Sequence, residues 1–563
     1  MCGFFGIVGQ YDKERALRAL RTLRHRGPDA EGVYEEPGFF LGHQRLYILD
    51  KSAHQPLHDG AVLAFNGEIY NYKDFHPTSD TKAILQAYKR YGRNFLKHIE
   101  GMYALVLWDG GRLLLARDPF GKKPLYYAKK DKVFIFASEI KAILAYVGGA
   151  KLNQKALSGY LSFGALPNEE TFYEDIYKLK PGEVIAFDGQ RSSTFLPEPP
   201  PQGGDLETLI LQSVHKRLQG DFEVAALLSG GVDSSLVSAI AKKEQGRLAT
   251  FSIGYKEGRY SELPYARMVA EHIGSEHHEV IFGKEDFFAT LHSALEHFDE
   301  PIGDSASLPL WFLMQEVQRQ GFRVVLSGEG GDEIFLGYRQ YFEMADLLKA
   351  RDLKYKNWLK NYFRANFSPN KEWEWYKRIW SDEPLFRSSC EVFTDLQKNL
   401  FLRQNVKDGE SLTYLPRFAE ENFETFTKID LLVRLGALYL HKLDMVSMAY
   451  SIEARTPLLD IAVLQAALAH PDRAKAPKYL LKKIASKYLP HEVIDRKKRG
   501  FSYPHIEWLF ASEYPQKMVE INEETGFFKK DQLQFLLQNA KRNRFSRHFW
   551  LVLAFLLWYE RNF

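Results

Sequence analysis

The first third of the chain is written in short apolar runs cut by Gly, Asp and Pro. Ala61–Phe65 (AVLAF), Tyr103–Trp108 (YALVLW) and Arg112–Ala116 (RLLLA) are examples. Runs of this length between turn residues predict strands of a β-rich domain. Apolar residues at helical spacing stand among them at Lys13–Leu23 and Thr81–Tyr91. The stretch Ser192–Asp205, SSTFLPEPPPQGGD, then concentrates Pro and Gly, which continue neither a helix nor a central strand. It predicts a linker at 192–205 between domains at 2–191 and 206–563.

Past that stretch the pattern changes. Phe222–Leu228 (FEVAALL) is an apolar run followed by a Gly pair and a helical pattern at Ser234–Lys243. Leu248–Tyr255 and Arg323–Leu326 predict further strands, and Pro264–Ile273 a helix. Strands alternating with helices predict an α/β domain with a parallel sheet covered on both faces. Beyond residue 340 the spacing is mostly helical. The longest apolar run, Phe549–Tyr559 (FWLVLAFLLWY), falls short of the ~20 residues of a membrane span and predicts a buried helix instead.

Composition narrows the function. Lys plus Arg number 75 and Asp plus Glu 72, a net charge of +3, and a nucleic-acid scaffold would carry a clear basic excess. An apolar fraction of 45% permits a buried core. Cys2 and Cys390 are the two cysteines, which excludes a disulfide framework and points to a reducing compartment. The opening MCGFFGIVGQYDKER lacks a basic segment and a long apolar run, so no signal peptide and a cytoplasmic location are expected.

Several clusters carry chemistry. Removal of Met1 would leave Cys2 with a thiol and a free α-amine, a nucleophile with a built-in general base. A small buried cysteine in an opening strand fits the position as well. Arg45 lies in HQRLYILD, Asn66, Gly67 and Glu68 in FNGEIYNY, and Asp80 in TSD. An Asn amide with a Gly N–H makes an oxyanion hole. A carboxylate pair suits an α-ammonium and an Arg an α-carboxylate, so together they suit an amino acid such as glutamine. Read singly, each is equally a turn residue or a surface charge. In the second domain SGGVDSS (Ser229, Gly230, Gly231, Asp233, Ser234, Ser235) stands between a strand and a helix, where small residues and free N–H groups cradle phosphates. It is not a Walker A motif. SGEGGDE (Ser327–Glu333) follows another strand, and Asp233 and Asp332 suit a shared Mg²⁺. Lys442, in HKLDMVSM, suits charge developing on an α-phosphate, and is otherwise an exposed helix lysine. Arg496–Arg499 (RKKR) suits local phosphate contact or a solvated loop.

These motifs resemble a known family. MCGFFGIVG, LRHRGPDAEG, GHQRLYILD, FNGEIYNY and RDPFGKKPLYY are similar to the glutaminase domain of glutamine-dependent amidotransferases. SGGVDSS, SGEGGDEIFLGY and KLDMVSMAYSIEARTPLLD resemble the synthetase domain of glutamine-hydrolysing asparagine synthetases. The likeness runs along nearly the whole chain. It implies an N-terminal-nucleophile αββα sandwich followed by an adenine-nucleotide α-hydrolase domain with a helical C-terminal part. It further implies Cys2 as nucleophile, Asn66 and Gly67 as oxyanion hole, and Arg45, Glu68 and Asp80 around glutamine, with Ile48 and Leu49 lining the pocket. ATP would meet the SGGVDSS loop with Leu227, Ile253, Ser327 and Gly328. Asp233 and Asp332 would hold Mg²⁺, and Glu329 and Lys442 would serve the acyl-adenylate step, Glu329 also as a base towards ammonia. The substrates implied are glutamine, aspartate and ATP, with no nucleic acid and no membrane; a homodimer is compatible with this.

One departure stands out. Only Lys73–Pro77 separate NGEIYNY from TSDTKAIL, where many relatives carry a longer stretch, so a loop beside the glutamine pocket is trimmed. Two alternatives remain at this stage. In one, the same two-site chemistry serves another carboxylate acceptor, such as a sugar or cell-surface precursor. A non-catalytic regulatory protein would have lost nucleophile or phosphate-loop residues, and none is missing.

Overall fold

The computed structural model describes residues 2–130, 132–186, 191–193, 205–366, 371–496 and 503–563. Most of the predicted linker and Lys497–Arg499 of the basic cluster therefore lie outside the described residues.

The N-terminal lobe contains β1 (Gly3–Val8), β2 (Ala30–Glu36), β3 (Phe39–Arg45), β4 (Leu57–Asp59), β5 (Ala61–Ile69), β6 (Gly101–Asp109), β7 (Arg112–Arg117), β8 (Tyr126–Lys130), β9 (Val133–Ala137), β10 (Ile176–Lys178), β11 (Glu183–Ala186) and β12 (Arg191–Ser193). They form two antiparallel sheets, β10-β8-β9-β1-β3-β2 and β12-β11-β7-β6-β5-β4. Strand alternation puts successive side chains on opposite faces. Phe4, Phe39 and Leu41 of one sheet thus meet Val62, Val106 and Leu115 of the other, and the Phe39 and Trp108 rings stack across the gap at 4.1 Å. The outward Phe5 and Ile7 pack on helices Lys13–Arg21 and Ile140–Val147. The outward Leu63 and Phe65 pack on helix Asp80–Tyr91. The layers are αββα. The trimmed segment is closed locally: Tyr72–Asp74 makes one 3₁₀ turn, and the His76 ring accepts from the Thr78 and Ser79 N–H groups. Ser79 then caps the helix that opens with Asp80.

The second lobe holds a parallel sheet of β13 (Val224–Leu227), β14 (Ala249–Tyr255), β15 (Glu276–Phe282), β16 (Val324–Leu326) and β17 (Glu453–Arg455), in the order β15-β14-β13-β16-β17. Alternate residues of β13 enter different cores, Ala225 one and Val224 and Ala226 the other, so both faces are covered. The strand order reverses between β13 and β16, the place where open α/β sheets bind ligands. The rest is helical. Phe549–Trp558 are buried within the terminal helix Ser546–Asn562, and Trp550 and Trp558 donate to the Ile302 and Asp299 carbonyls. Among the described residues no helix is long and apolar enough to cross a membrane.

Candidate active sites

Cys2 stands at the head of β1, buried beneath the loop after β3. Its N–H donates to Asn66 Oδ1 at 3.1 Å, and its Sγ lies 3.9 Å from the Leu46 carbonyl. Burial pushes the thiol pKa up, and the chain's terminal amino group opposes that shift. Because Asn66 spends its oxygen on Cys2, its Nδ2 is left buried without a partner. Gly67 follows at φ +151°, where a Cβ would collide with the Met102 carbonyl. Only glycine keeps that N–H in place.

Two more buried atoms around Cys2 lack partners, Arg45 Nη1 and Glu68 Oε1. Arg45 Nη2 is fixed by the Asp50 carbonyl at 2.6 Å, with Leu49 O at 3.5 Å. Burial raises the pKa of Glu68 well above the usual range and that of Asp80 to about 7. An unpartnered guanidinium N–H, an unpartnered amide N–H and two buried carboxyls therefore gather near Cys2, and buried polar groups of this kind call for partners. Ile48 is turned to the other lobe, its carbonyl accepting from Asp221 N–H at 3.0 Å.

The second lobe reaches this cluster, which the sequence did not foretell. Arg455 of β17 is fully buried, 3.3 Å from Glu68 and 2.6 Å from Glu453. It also donates to the carbonyls of Arg217 and Gln219. A second buried guanidinium, Arg26, donates to the Cys2 carbonyl at 3.0 Å and pairs with Glu139 at 2.7 Å and Asp444 at 2.8 Å. Asp444 also pairs with Lys123 and lies two residues from Lys442. The Cys2 backbone and the Lys442 helix are thus tied through one arginine.

At the sheet's switch point, β13 runs into Ser229–Gly231 and then helix Val232–Gln245. Gly231 is the N-cap of this helix, with no side-chain capping hydrogen bond. Ser229 Oγ instead meets Ser234 Oγ at 2.9 Å and accepts from Gly231 N–H, while Ser235 Oγ is buried without a partner. Gly230 has φ +69°, and a Cβ there would approach Ala266 N to 2.7 Å. The loop after β16 lies against this turn, since a Cβ on Gly328 would sit 2.6 Å from Ser234 N. Ser327 N–H donates to the Arg455 carbonyl, and Leu227 and Ile253 stay partly exposed near the ends of β13 and β14. Arg496 pairs with Glu262 at 2.6 Å and comes within 3.9 Å of the Gly231 Cβ position.

Asp233 and Asp332 converge on a lysine that the sequence reading missed. Lys478 Nζ ion-pairs with Asp233 and lies 2.8 Å from Asp332 Oδ1. Its backbone is left-handed at φ +56°, and its N–H is held by the Phe335 carbonyl. Nothing in APKYLL marks it as a site residue. Two carboxylates meeting one cation are hard oxygen donors of the kind Mg²⁺ shares with phosphate, so the set fits that ion. Lys442 sits apart from them, paired with Asp304 at 2.7 Å and resting on the Tyr439 ring at 4.4 Å. Glu329 is close enough to Lys442 to feel its charge, and burial raises its pKa.

A family model for asparagine synthase matches residues 205–560. The chain belongs to the asparagine synthase family. A second model, for the glutamine amidotransferase domain, matches residues 1–195. "Asparagine synthetase [glutamine-hydrolyzing] 1" of Bacillus subtilis (strain 168) is 29% identical over 620 residues, covering 100% of this chain and 97% of that protein. A "Putative asparagine synthetase [glutamine-hydrolyzing]" of Mycobacterium bovis is 30% identical, covering 99% and 97%. "Asparagine synthetase B [glutamine-hydrolyzing]" of Escherichia coli (strain K12) is 31% identical over 61% of this chain and 66% of its own length.

Proposed function

We propose that this protein makes asparagine from aspartate, ATP and the amide nitrogen of glutamine. The observation that carries the reading is the set of unpartnered buried atoms around Cys2 (Arg45 Nη1, Asn66 Nδ2 and Glu68 Oε1), joined by Arg26 to Asp444 on the Lys442 helix of the second lobe.

With Met1 removed, the Cys2 nitrogen that donates to Asn66 becomes an amine that accepts the thiol proton. The sulfur attacks the glutamine side-chain carbonyl, Asn66 Nδ2 and Gly67 N–H receive the oxyanion, and the C–N bond breaks to release ammonia. Water then cleaves the thioester to glutamate. Glu68 with Asp80 takes the α-ammonium and Arg45 the α-carboxylate.

At the second site the Ser229–Ser235 turn binds the ATP phosphates. The aspartate β-carboxylate attacks the α-phosphorus, and the bond to pyrophosphate breaks. Asp233 and Asp332 would hold Mg²⁺, which when bound neutralises phosphate charge. Lys478 pairs with the same carboxylates, and its ammonium would neutralise charge developing on pyrophosphate. Lys442, held by Asp304, faces the acyl phosphate. Ammonia attacks the acyl carbon, AMP leaves, and Glu329 accepts a proton from the incoming nitrogen. Burial keeps water from the adenylate.

The test compares wild type with Cys2→Ala in glutamine, ATP, Mg²⁺ and aspartate. Equal amounts of asparagine, AMP and pyrophosphate are expected from wild type. The variant should lose them with glutamine and regain them with an ammonium salt. Glutamate release without asparagine or AMP rejects aspartate as acceptor.

A further inference from the structure

Leu431–Leu440, just before the Lys442 helix, form a ten-residue π-helix, a form that is rare and concentrated at functional sites. Its effect is local. Residues five apart on an α-helix point about 140° away from each other. Here Arg434 and Tyr439 share a face, and Arg434 Nη2 donates to the Tyr439 hydroxyl at 2.8 Å. The Tyr439 ring carries Lys442 Nζ at 4.4 Å and the Arg434 guanidinium at 5.2 Å from its centroid. The two cations therefore stand less than about 10 Å apart.

Their pairing differs. Lys442 has Asp304 at 2.7 Å. Arg434 has no carboxylate in ion-pair contact among the described residues. It lies over the Tyr338 ring at 3.9 Å and donates Nη1 to Ser389 Oγ at 2.8 Å, and that hydroxyl in turn donates to Asp430. Its Nε is buried without a partner. Glu333, which lies near Arg434, accepts from the Tyr338 hydroxyl instead, and burial raises its pKa to about 8, which favours the uncharged acid near neutrality. A partly exposed guanidinium with spare donors and no ion pair is a site for an anion.

We propose that Arg434 binds the α-carboxylate of the acceptor and so makes the synthetase site select an amino acid with two carboxylates. Three carbon–carbon bonds of about 1.5 Å separate the carboxyl carbons of aspartate. With a hydrogen bond of about 2.8 Å at each end, such a molecule spans Arg434 and Lys442. The inference rests on the acyl-adenylation reading above.

β-Alanine, which is aspartate without its α-carboxylate, provides the test. Acceptor-dependent pyrophosphate release is measured for both compounds in wild type, Arg434→Met and Arg547→Met. Arg547 is the other guanidinium near Tyr439, with Nη2 on the Cys390 carbonyl. Loss of a charge-assisted contact is worth about 10- to 100-fold. In Arg434→Met the kcat/KM for aspartate should fall by that factor, with β-alanine within about 3-fold, so the ratio collapses. Arg547→Met should leave the ratio in place. Glutamine hydrolysis at Cys2 reports folding; if Arg434→Met fails it, Arg434→Lys is read instead and should also lower the ratio. Equal losses for both acceptors, an unchanged ratio, or a ratio moved only by Arg547→Met overturns the inference and leaves acyl-adenylation standing. No aspartate-dependent pyrophosphate release from wild type overturns that parent reading, and the inference with it.

Discussion

Replacing Lys478 with Met separates charge from shape at the synthetase site. The ammonium pairs with both Asp233 and Asp332, and its side chain is only 8% exposed against 17% and 18% for the two carboxylates. Removing one partner of a buried ion pair costs about 3–5 kcal/mol. The aspartates retain some water here, so roughly 2–3 kcal/mol is expected, and at about 2 °C per kcal/mol for a lobe of this size the apparent Tm falls by roughly 5 °C. The variant also removes the ammonium that the two acids share. Mg²⁺ should then stabilise Lys478→Met more than it stabilises wild type, and the acids' repulsion without it is the reason. Thermal melts with and without Mg²⁺ read both effects. Aspartate-dependent pyrophosphate release at saturating ATP should fall at least about 100-fold, as for the loss of one preorganised transition-state contact. A melting temperature within a degree of wild type, or equal Mg²⁺ stabilisation of both proteins, would refute the reasoning.

Three further outcomes follow from the same geometry. Asn66→Ala removes an amide N–H aimed at the oxyanion, so glutaminase kcat should drop about 10²- to 10³-fold while ammonium-dependent asparagine formation is unchanged; glutamate and asparagine assays check both. Arg26→Met leaves Glu139 and Asp444 short of a partner and should destabilise the protein by about 3–5 kcal/mol, read by denaturation, with more glutamine consumed per asparagine made. Glu333 is raised from 4.5 to about 8 by burial. The folded state thus holds a proton that the unfolded state gives up, and stability from this group is full below pH 4.5 and lost as pH rises to about 8. Glu333→Gln should flatten that part of the melting-temperature profile, and an unaltered profile would contradict the shift.

Much of both lobes was legible because it is written in local patterns. The run AVLAF and its neighbours alternate between a buried sheet interface and a helix-covered face, and FEVAALL followed by SGG marks a strand running into a phosphate-type turn. Boundaries moved by a residue or two, as at Thr81–Tyr91, where the helix opens at Asp80. The sites were legible only where residues cluster in sequence. Lys478 and Asp304 sit in unremarkable segments and Arg455 in a motif that gives it no role, and all three reach their sites through tertiary contacts 138 to 387 residues away, as with Arg455 and Glu68. The Leu431–Leu440 run reads as an ordinary apolar helix, and no feature of its spacing announces a π-helix.

The central claim is that nitrogen passes from the Cys2 site to an acceptor activated at the Lys442 and Lys478 site. Glutamine labelled with ¹⁵N at its amide, incubated with the protein, aspartate, ATP and Mg²⁺, tests it most directly. The account predicts asparagine carrying the label in its side-chain amide, with one AMP and one pyrophosphate per molecule. Label recovered wholly as ammonium, with no labelled asparagine, would contradict it.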